Sequence, residues 1–213
     1  MALDDYLRGR DPRAVRERAM RAAGRLPPGQ SLTIKWPILH DGEVPAFDPA
    51  TWDFRVGGLV EEPLALSWTD FNALPRTEVT SDFHCVTRWS TFDNRWEGVP
   101  ARAVLARARP KPEATHVMIL GHKGDVRYGY TTNLPLPDLD RPDVLFVLRH
   151  DGADLDADHG GPLRLVVPHL YAWKSAKWVR GLIFMDADKP GYWERAGYHM
   201  RGDPFAEERF GRV

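Results

Sequence analysis

Proline is the feature that most restricts this chain: 18 of its 213 residues lack a backbone N–H, and they are scattered from Pro12 to Pro204. Each one fixes φ and interrupts a helix or a central strand, so the chain has to be built from short elements. The apolar residues agree. "WDFRVGGLV", Trp52 to Val60, alternates like a half-buried strand, and "THVMILG", "DVLFVLRH", "GGPLRLVVP" and "AKWVRGLIFMD" are further strand candidates. As a strand, "TEVTSDFHCVT" puts Val79, Ser81, Phe83 and Cys85 on one face, with Thr80, Asp82 and His84 on the other. Helical signals are few and brief. Ser67 stands three residues before Asp70 in "SWTDFNAL", a capping pattern, and "ARAVLARA" follows Pro100. "SLTIKWPIL" is expected to be extended, "HDGEVPAFDPATW" a loop, and Glu97-Gly98 a tight turn. "KPGYWERAGYHMRGDPFAEERF" is expected to be an irregular tail packed on the body by Tyr192, Trp193 and Tyr198. The sum is a β-rich α+β domain with short helices. A Rossmann-type fold is disfavoured, and no Gly-x-Gly-x-x-Gly or phosphate-loop motif is present.

The length suits one domain, since compact domains run to about 50–250 residues. Residues 1–30 are expected to form a basic helix and a stiff joint, "RLPPGQ", and 31–213 a single domain with its tail. Asp11-Pro12 supplies an N-cap and a first-turn proline, and Gly24 a stop. Arg8, Arg10, Arg13, Arg16, Arg18, Arg21 and Arg25 make this segment basic. A solvated helix lying on the body is the preferred role, and a basic arm for a partner the second. Overall, Lys+Arg 29 against Asp+Glu 30 leaves a charge of -1, which gives no global attraction to nucleic acid or anionic membrane. No apolar run is long enough for a transmembrane helix, and the first residues carry neither a secretory h-region nor a twin-arginine pair. With one cysteine in the chain, these features lead us to expect a cytoplasmic protein.

That cysteine, Cys85, cannot form an internal disulfide. It is a packing residue, a nucleophile or a metal ligand. It lies where a strand gives way to a polar loop, which places its sulfur at a pocket edge. Arg88, three residues on, would favour the thiolate. Structural zinc is disfavoured because His84 and Cys85 supply at most a pair of ligands. Cysteine-dependent hydrolysis needs a base that sequence alone does not place. Further on, "HGGPLRLVVPHLYAWKSAKWVRGLIF" sets Arg164, Lys174 and Lys177 around a Gly-Pro turn and an aromatic loop. Such cations form either a cradle for a phosphorylated ligand or an ordinary charged surface.

Taken together, "DFHCVTRWS", "RWEGVP", "YGYTTNLPL", "HGGPLRLVVP" and "YAWKSAKWVRGL" resemble the sulfite oxidase superfamily of molybdopterin-dependent oxidoreductases. They occur in the family's order, and the likeness runs over roughly residues 30 to 186. It is similar above all to the short, single-domain bacterial branch related to the catalytic subunit of the periplasmic methionine sulfoxide reductase. The resemblance implies the molybdopterin-binding domain fold, with mixed sheets and short helices. It implies a molybdenum cofactor whose metal takes Cys85 as thiolate ligand while the pterin dithiolene brings the other sulfurs, a role that suits a soft donor.

Carried over position by position, Arg164 and Lys174 would hold the pterin and its phosphate, with His159, Ser175 and Lys177 secondary for that task. Thr131 or Thr132 would line the cofactor and His40 approach it from the opposite side. Arg88 and Tyr130 would stand on the substrate side as catalytic groups. His84 would point away, and Trp89, Trp96, Trp173 and Trp178 would be core or pocket wall. The implied activity is two-electron or oxygen-atom transfer on a small molecule such as an S- or N-oxide, with an external electron carrier. The alternative is a non-catalytic binding module on the same fold. "CVTRWS" replaces the Cys-x-Gly-Asn-Arg-Arg type of sequence of sulfite oxidase, which argues against sulfite. The chain has no room for a heme domain, and without the dimerisation domain of sulfite oxidase a monomer is expected.

Overall fold

The computed structural model describes residues 11–121 and 129–211. Arg8 and Arg10 of the basic segment and Tyr128 of "YGYTTNLPL" lie outside the described residues. Among the described residues the strands form two mixed sheets with short helices at their margins, the β-rich α+β arrangement expected. In the first sheet the order is β1 (Ser31–Leu32), β5 (Trp89–Pro100), β8 (Leu145–His150) and β10 (Arg164–Val166). Here β4 (Thr77–His84) also pairs with β5, and β9 (Ala153–Asp154) with β8. The second sheet runs β3 (Leu64–Ser67), β2 (Asp53–Gly58), β11 (Val179–Met185), β6 (His116–Gly121) and β7 (Thr131–Pro135). Among the described residues, only β1 with β5 and β2 with β11 pair in parallel.

The central strand β8 explains where the site sits. Strand side chains alternate between faces. Phe146 and Leu148 enter the core between the sheets, where Phe146 meets Phe54 of β2 edge-on at 5.4 Å. Leu145 and Val147 face the other way and join Phe83, Trp96 and Val166 in a second apolar cluster. On β10, Leu165 belongs to the first core and Val166 to the second. With both faces covered, the first four residues of β8 read in sequence as an unbroken apolar run.

Two expectations needed correction. Glu97-Gly98 is not a turn. Both residues lie inside β5, the longest strand described, at a register shift against β8. Gly98 is there because a Cβ would come within 2.1 Å of the Phe146 carbonyl oxygen. The C-terminal segment is also more ordered than an irregular tail. It carries α5 (Tyr192–Arg195), and Tyr198 bridges to Phe210.

The helical signals were realised. α1 (Pro12–Ala22) is capped by Asp11, and α2 (Trp68–Asn72) has the Ser67–Asp70 capping box. α3 (Ala101–Ala108) follows Pro100, and α4 (Leu136–Leu139) follows β7. α1 buries no residue fully, and lies on the body through Arg13, whose Nε donates to Leu32 O at 2.9 Å, and the Arg16–Asp93 ion pair. The joint after it is less separate than residues 1–30 were expected to be, because Leu26 packs with Leu32 and Phe92.

Candidate functional site

A cavity of about 280 Å³ opens on the face of the first sheet turned away from the inter-sheet core. It lies near the lower end of the range of roughly 300–1,000 Å³ usual for small-molecule pockets. Cys85 is part of its wall. The residue follows β4 directly, in a turn closed by Arg88 N–H donating to Cys85 O at 3.0 Å, while Cys85 N–H donates to Trp89 O at 2.9 Å. Phe83, two residues earlier, shares the wall as alternation requires. Burial pushes the Cys85 thiol up, and a hydrogen bond from the Thr87 hydroxyl to Sγ, 3.2 Å long, pulls the other way.

The predicted cations divide. Arg164, at the start of β10, is buried in the cavity wall. Its Nη1 donates to His159 O at 2.7 Å and Nη2 to Ser175 O at 2.9 Å, and its guanidinium lies 5.3 Å from the Trp36 and Phe83 ring centres. Lys177 also lines the cavity, with Nζ donating to Leu39 O at 3.0 Å and Asp158 O at 2.5 Å. Burial draws Lys177 down to about 8, and repulsion from Arg164 adds to the fall. Two cations held close together in a low-dielectric wall make a receptor for an anion.

Lys174 does not reach the cavity. It is completely buried behind the wall, 2.6 Å from the equally buried Glu194 carboxylate, and it donates to Asn133 O and Oδ1 and to Met200 O. It therefore fastens the C-terminal segment to β7 and lies outside the lining, where the phosphate ligand was expected. Arg88 is a second correction. At φ +74° its exposed side chain projects toward Gly29, away from the lining, so it neither faces substrate nor activates the sulfur.

The remaining expected residues do converge. His40, Tyr130, Thr131, Thr132, His159 and Ser175 all line the cavity. His159 stacks on Trp36 at 4.0 Å, its ring nitrogens meeting the Asp156 carboxylate and Trp36 O. Ser175 Oγ accepts from Val167 N–H, and Thr132 Oγ1 donates to Glu194. His40 Nδ1 donates to Gly42 O. The Tyr130 hydroxyl is engaged by the Asp41 backbone, so it is a wall residue whose donor is already used. His84 turns away as expected, to Ser90 Oγ.

Several lining residues escaped the sequence reading as site residues: Trp36, Leu39, Thr87, Trp193 and Tyr198. Thr87 was findable, since it stands two residues beyond the sulfur. Trp193 and Tyr198 were read as packing groups of a tail, and only the tertiary fold returns that tail to the cavity. Trp193 stacks on Tyr198 at 5.3 Å, and Trp173 meets Tyr198 edge-on at 5.1 Å.

The family model for the oxidoreductase molybdopterin-binding domain matches residues 41–193, a span that holds most of this lining but not Trp36, Leu39, His40 or Tyr198. The chain belongs to that family. This molybdopterin-binding family is the sulfite oxidase-like group, and its relatives are enzymes. One is the uncharacterized oxidoreductase YuiH of Bacillus subtilis, 48% identical over 88% of this chain and 93% of its own. Another is the protein-methionine-sulfoxide reductase catalytic subunit MsrP of Gluconobacter oxydans, 30% identical over 70% of this chain. This chain spans about half of MsrP, 52% of its length. Among solved structures, the sulfane dehydrogenase SoxCD of Paracoccus pantotrophus superposes with a TM-score of 0.62 at 25% identity, over 70% of this chain and 41% of that one.

The residues present fit molybdopterin. One soft thiol stands at the wall, with Arg164 and Lys177 available for an anionic phosphate. Buried polar atoms of three lining residues, Trp89 Nε1, Thr131 Oγ1 and Arg164 Nε, have no partner among the described residues. Buried donors are almost always paired, so these are groups a bound pterin would satisfy.

Proposed function

We propose that the chain is an oxidoreductase in which the Cys85 thiolate binds the molybdenum of a molybdopterin cofactor and a small S- or N-oxide exchanges an oxygen atom there. The observation that carries this reading is the position of the only thiol, in the wall of a cavity that also holds Arg164 and Lys177. The bound cofactor supplies two-electron oxygen-atom transfer, chemistry that side chains lack.

The chain's own residues bind, orient and exclude water. Arg164 and Lys177 would neutralise the cofactor's phosphate, and His159, Thr131 and Thr132 would line the pterin. Burial favours the protonated Cys85 thiol, so metal binding has to release that proton. Trp173, Trp193 and Tyr198 form an aromatic wall that excludes water from the substrate side. Burial raises Tyr198, so the phenol stays protonated and can donate to a substrate oxygen. An external carrier exchanges the electrons.

The direct test is protein made in a host that synthesises the cofactor. It should carry about one molybdenum per chain. Cys85→Ser should abolish turnover and change the metal's absorption while leaving the melting temperature nearly intact. Folded protein from that host with neither molybdenum nor pterin would overturn the proposal.

A further inference from the structure

The turn that carries Cys85 is gripped from outside by two residues far apart in sequence. Gln30 Nε2 donates to Cys85 O at 2.9 Å. Arg209 Nη1 donates to Val86 O at 2.7 Å, and its Nη2 to Pro28 O at 3.1 Å. Both side chains are buried, Gln30 at 2% and Arg209 at 6% exposure. Ser31 N–H completes the grip by donating to Arg88 O at 3.0 Å. Arg209 is itself held in place. Its guanidinium lies 5.0 Å from the Tyr171 ring centre, and its segment is pinned by the Tyr198–Phe210 bridge and by Gly211 N–H donating to Gly197 O at 3.0 Å. Neither Gln30 nor Arg209 falls within residues 41–193, the span matched by the family model.

We propose that Arg209 and Gln30 are positioning residues that aim the Cys85 sulfur; the inference rests on the reading of Cys85 as the molybdenum ligand. The local hydrogen bonds Arg88 N–H to Cys85 O and Cys85 N–H to Trp89 O close this turn but leave the Val86 carbonyl to be met from outside. Arg88 occupies the left-handed region at φ +74° without being glycine, a state that persists only where surrounding contacts impose it. Those contacts are the capped carbonyls of Cys85 and Val86. The planar guanidinium spans two carbonyls at once, which a lysine ammonium on a flexible stem does not reproduce. The grip orients a ligand through its backbone, as outer-shell partners do at metal sites.

The test compares wild type, Arg209→Met, Arg209→Lys, Gln30→Leu and Cys85→Ser. In cofactor-free protein, hydrogen exchange at the amides of Cys85 and Arg88 should quicken at least about tenfold in Arg209→Met and Gln30→Leu. In loaded protein, Arg209→Met should keep its molybdenum to within about twofold but lose roughly 10–100-fold in turnover. Its Mo(V) paramagnetic resonance spectrum should move away from that of wild type, and Arg209→Lys should recover folding but only part of the spectrum. A merely structural role would lower the melting temperature and leave the spectrum of the loaded protein in place. If Arg209→Met does not fold, Arg209→Lys and Gln30→Leu decide by the same measurements. Wild-type exchange, spectrum and turnover in both of those variants would overturn the inference. Failure of the parent reading looks different: Cys85→Ser would load metal with an unaltered spectrum, while the exchange rates still report on the grip.

Discussion

Lys174 and Lys177 stand three residues apart and have opposite fates. Lys177 keeps its ammonium at the cavity wall. Lys174 sends its ammonium inward to Glu194, and both side chains are fully buried. Removing one partner of such a pair strands the other charge in a low dielectric, whereas replacing both with apolar groups is close to neutral. Lys174→Met should therefore cost about 3–5 kcal/mol in chemical denaturation, and the double change Lys174→Met/Glu194→Leu should recover part of it, the partners on Asn133, Met200, Thr132 and Trp173 staying unmet. Equal losses in the single and double variants would contradict the pairing. For Lys177 the expected effect is on ligand retention. Its depressed value, about 8, means that the free site loses this cation as pH rises through that point. Cofactor retention should be full below about pH 8 and weaken above it, and Lys177→Ala should flatten that dependence in a pterin-release assay. Sequence told the two lysines apart poorly. The motif gave both a cationic role, but which one faces the cavity depends on the 3-10 turn Ala172–Lys174, a rotation too local for spacing to reveal.

At the scale of elements, the strands with plain apolar patterns were legible, among them β2, β6, β8 and β11. β5 was not. Its "RWEGVP" stretch contains a glycine that looks like punctuation, yet Gly98 marks a close approach of backbones: its missing Cβ is what lets the Phe146 carbonyl near. Gly98→Ala should force β5 and β8 apart and destabilise the protein by at least about 1–3 kcal/mol, read as a shift of the urea midpoint at unchanged slope. α4 offers a pH test. Its Asp138 accepts from His169 Nε2 at 3.0 Å and from Arg201 Nε at 3.1 Å. Burial alone would raise this carboxyl, but those two partners outweigh it and hold it at about 2. A folded value below the unfolded one gives stability that is complete above about pH 4 and lost as pH falls toward 2. The loss should be on the order of 2 kcal/mol. Asp138→Asn should remove that part of the acid dependence, and an unchanged acid slope in the variant would refute the linkage.

For the molecule as a whole, chemistry was more legible than assembly. Five short motifs in order, the cysteine's among them, pointed to the family, and the resemblance carried over many residues that line the cavity. What sequence could not supply was the return of distant chain to the site. Trp36 and Leu39 come from a stretch expected only to be extended, Trp193 and Tyr198 from a stretch expected only to pack, and Arg209 from near the last described residue. Each reaches the site through contacts that span most of the fold, such as Arg209 Nη1 with Val86 O and His159 Nε2 with Trp36 O, and local periodicity carries no trace of those.

β8 is a party wall. Its first four residues stand between two apolar clusters, with alternate side chains belonging to each, and the second cluster shares Phe83 with the wall of the cavity. Altering the second cluster therefore disturbs the first, and a lineage seeking new substrates is steered toward furniture that can be moved independently. That furniture is the aromatic panel of the C-terminal segment, Trp193 and Tyr198, which line the cavity without belonging to either apolar cluster.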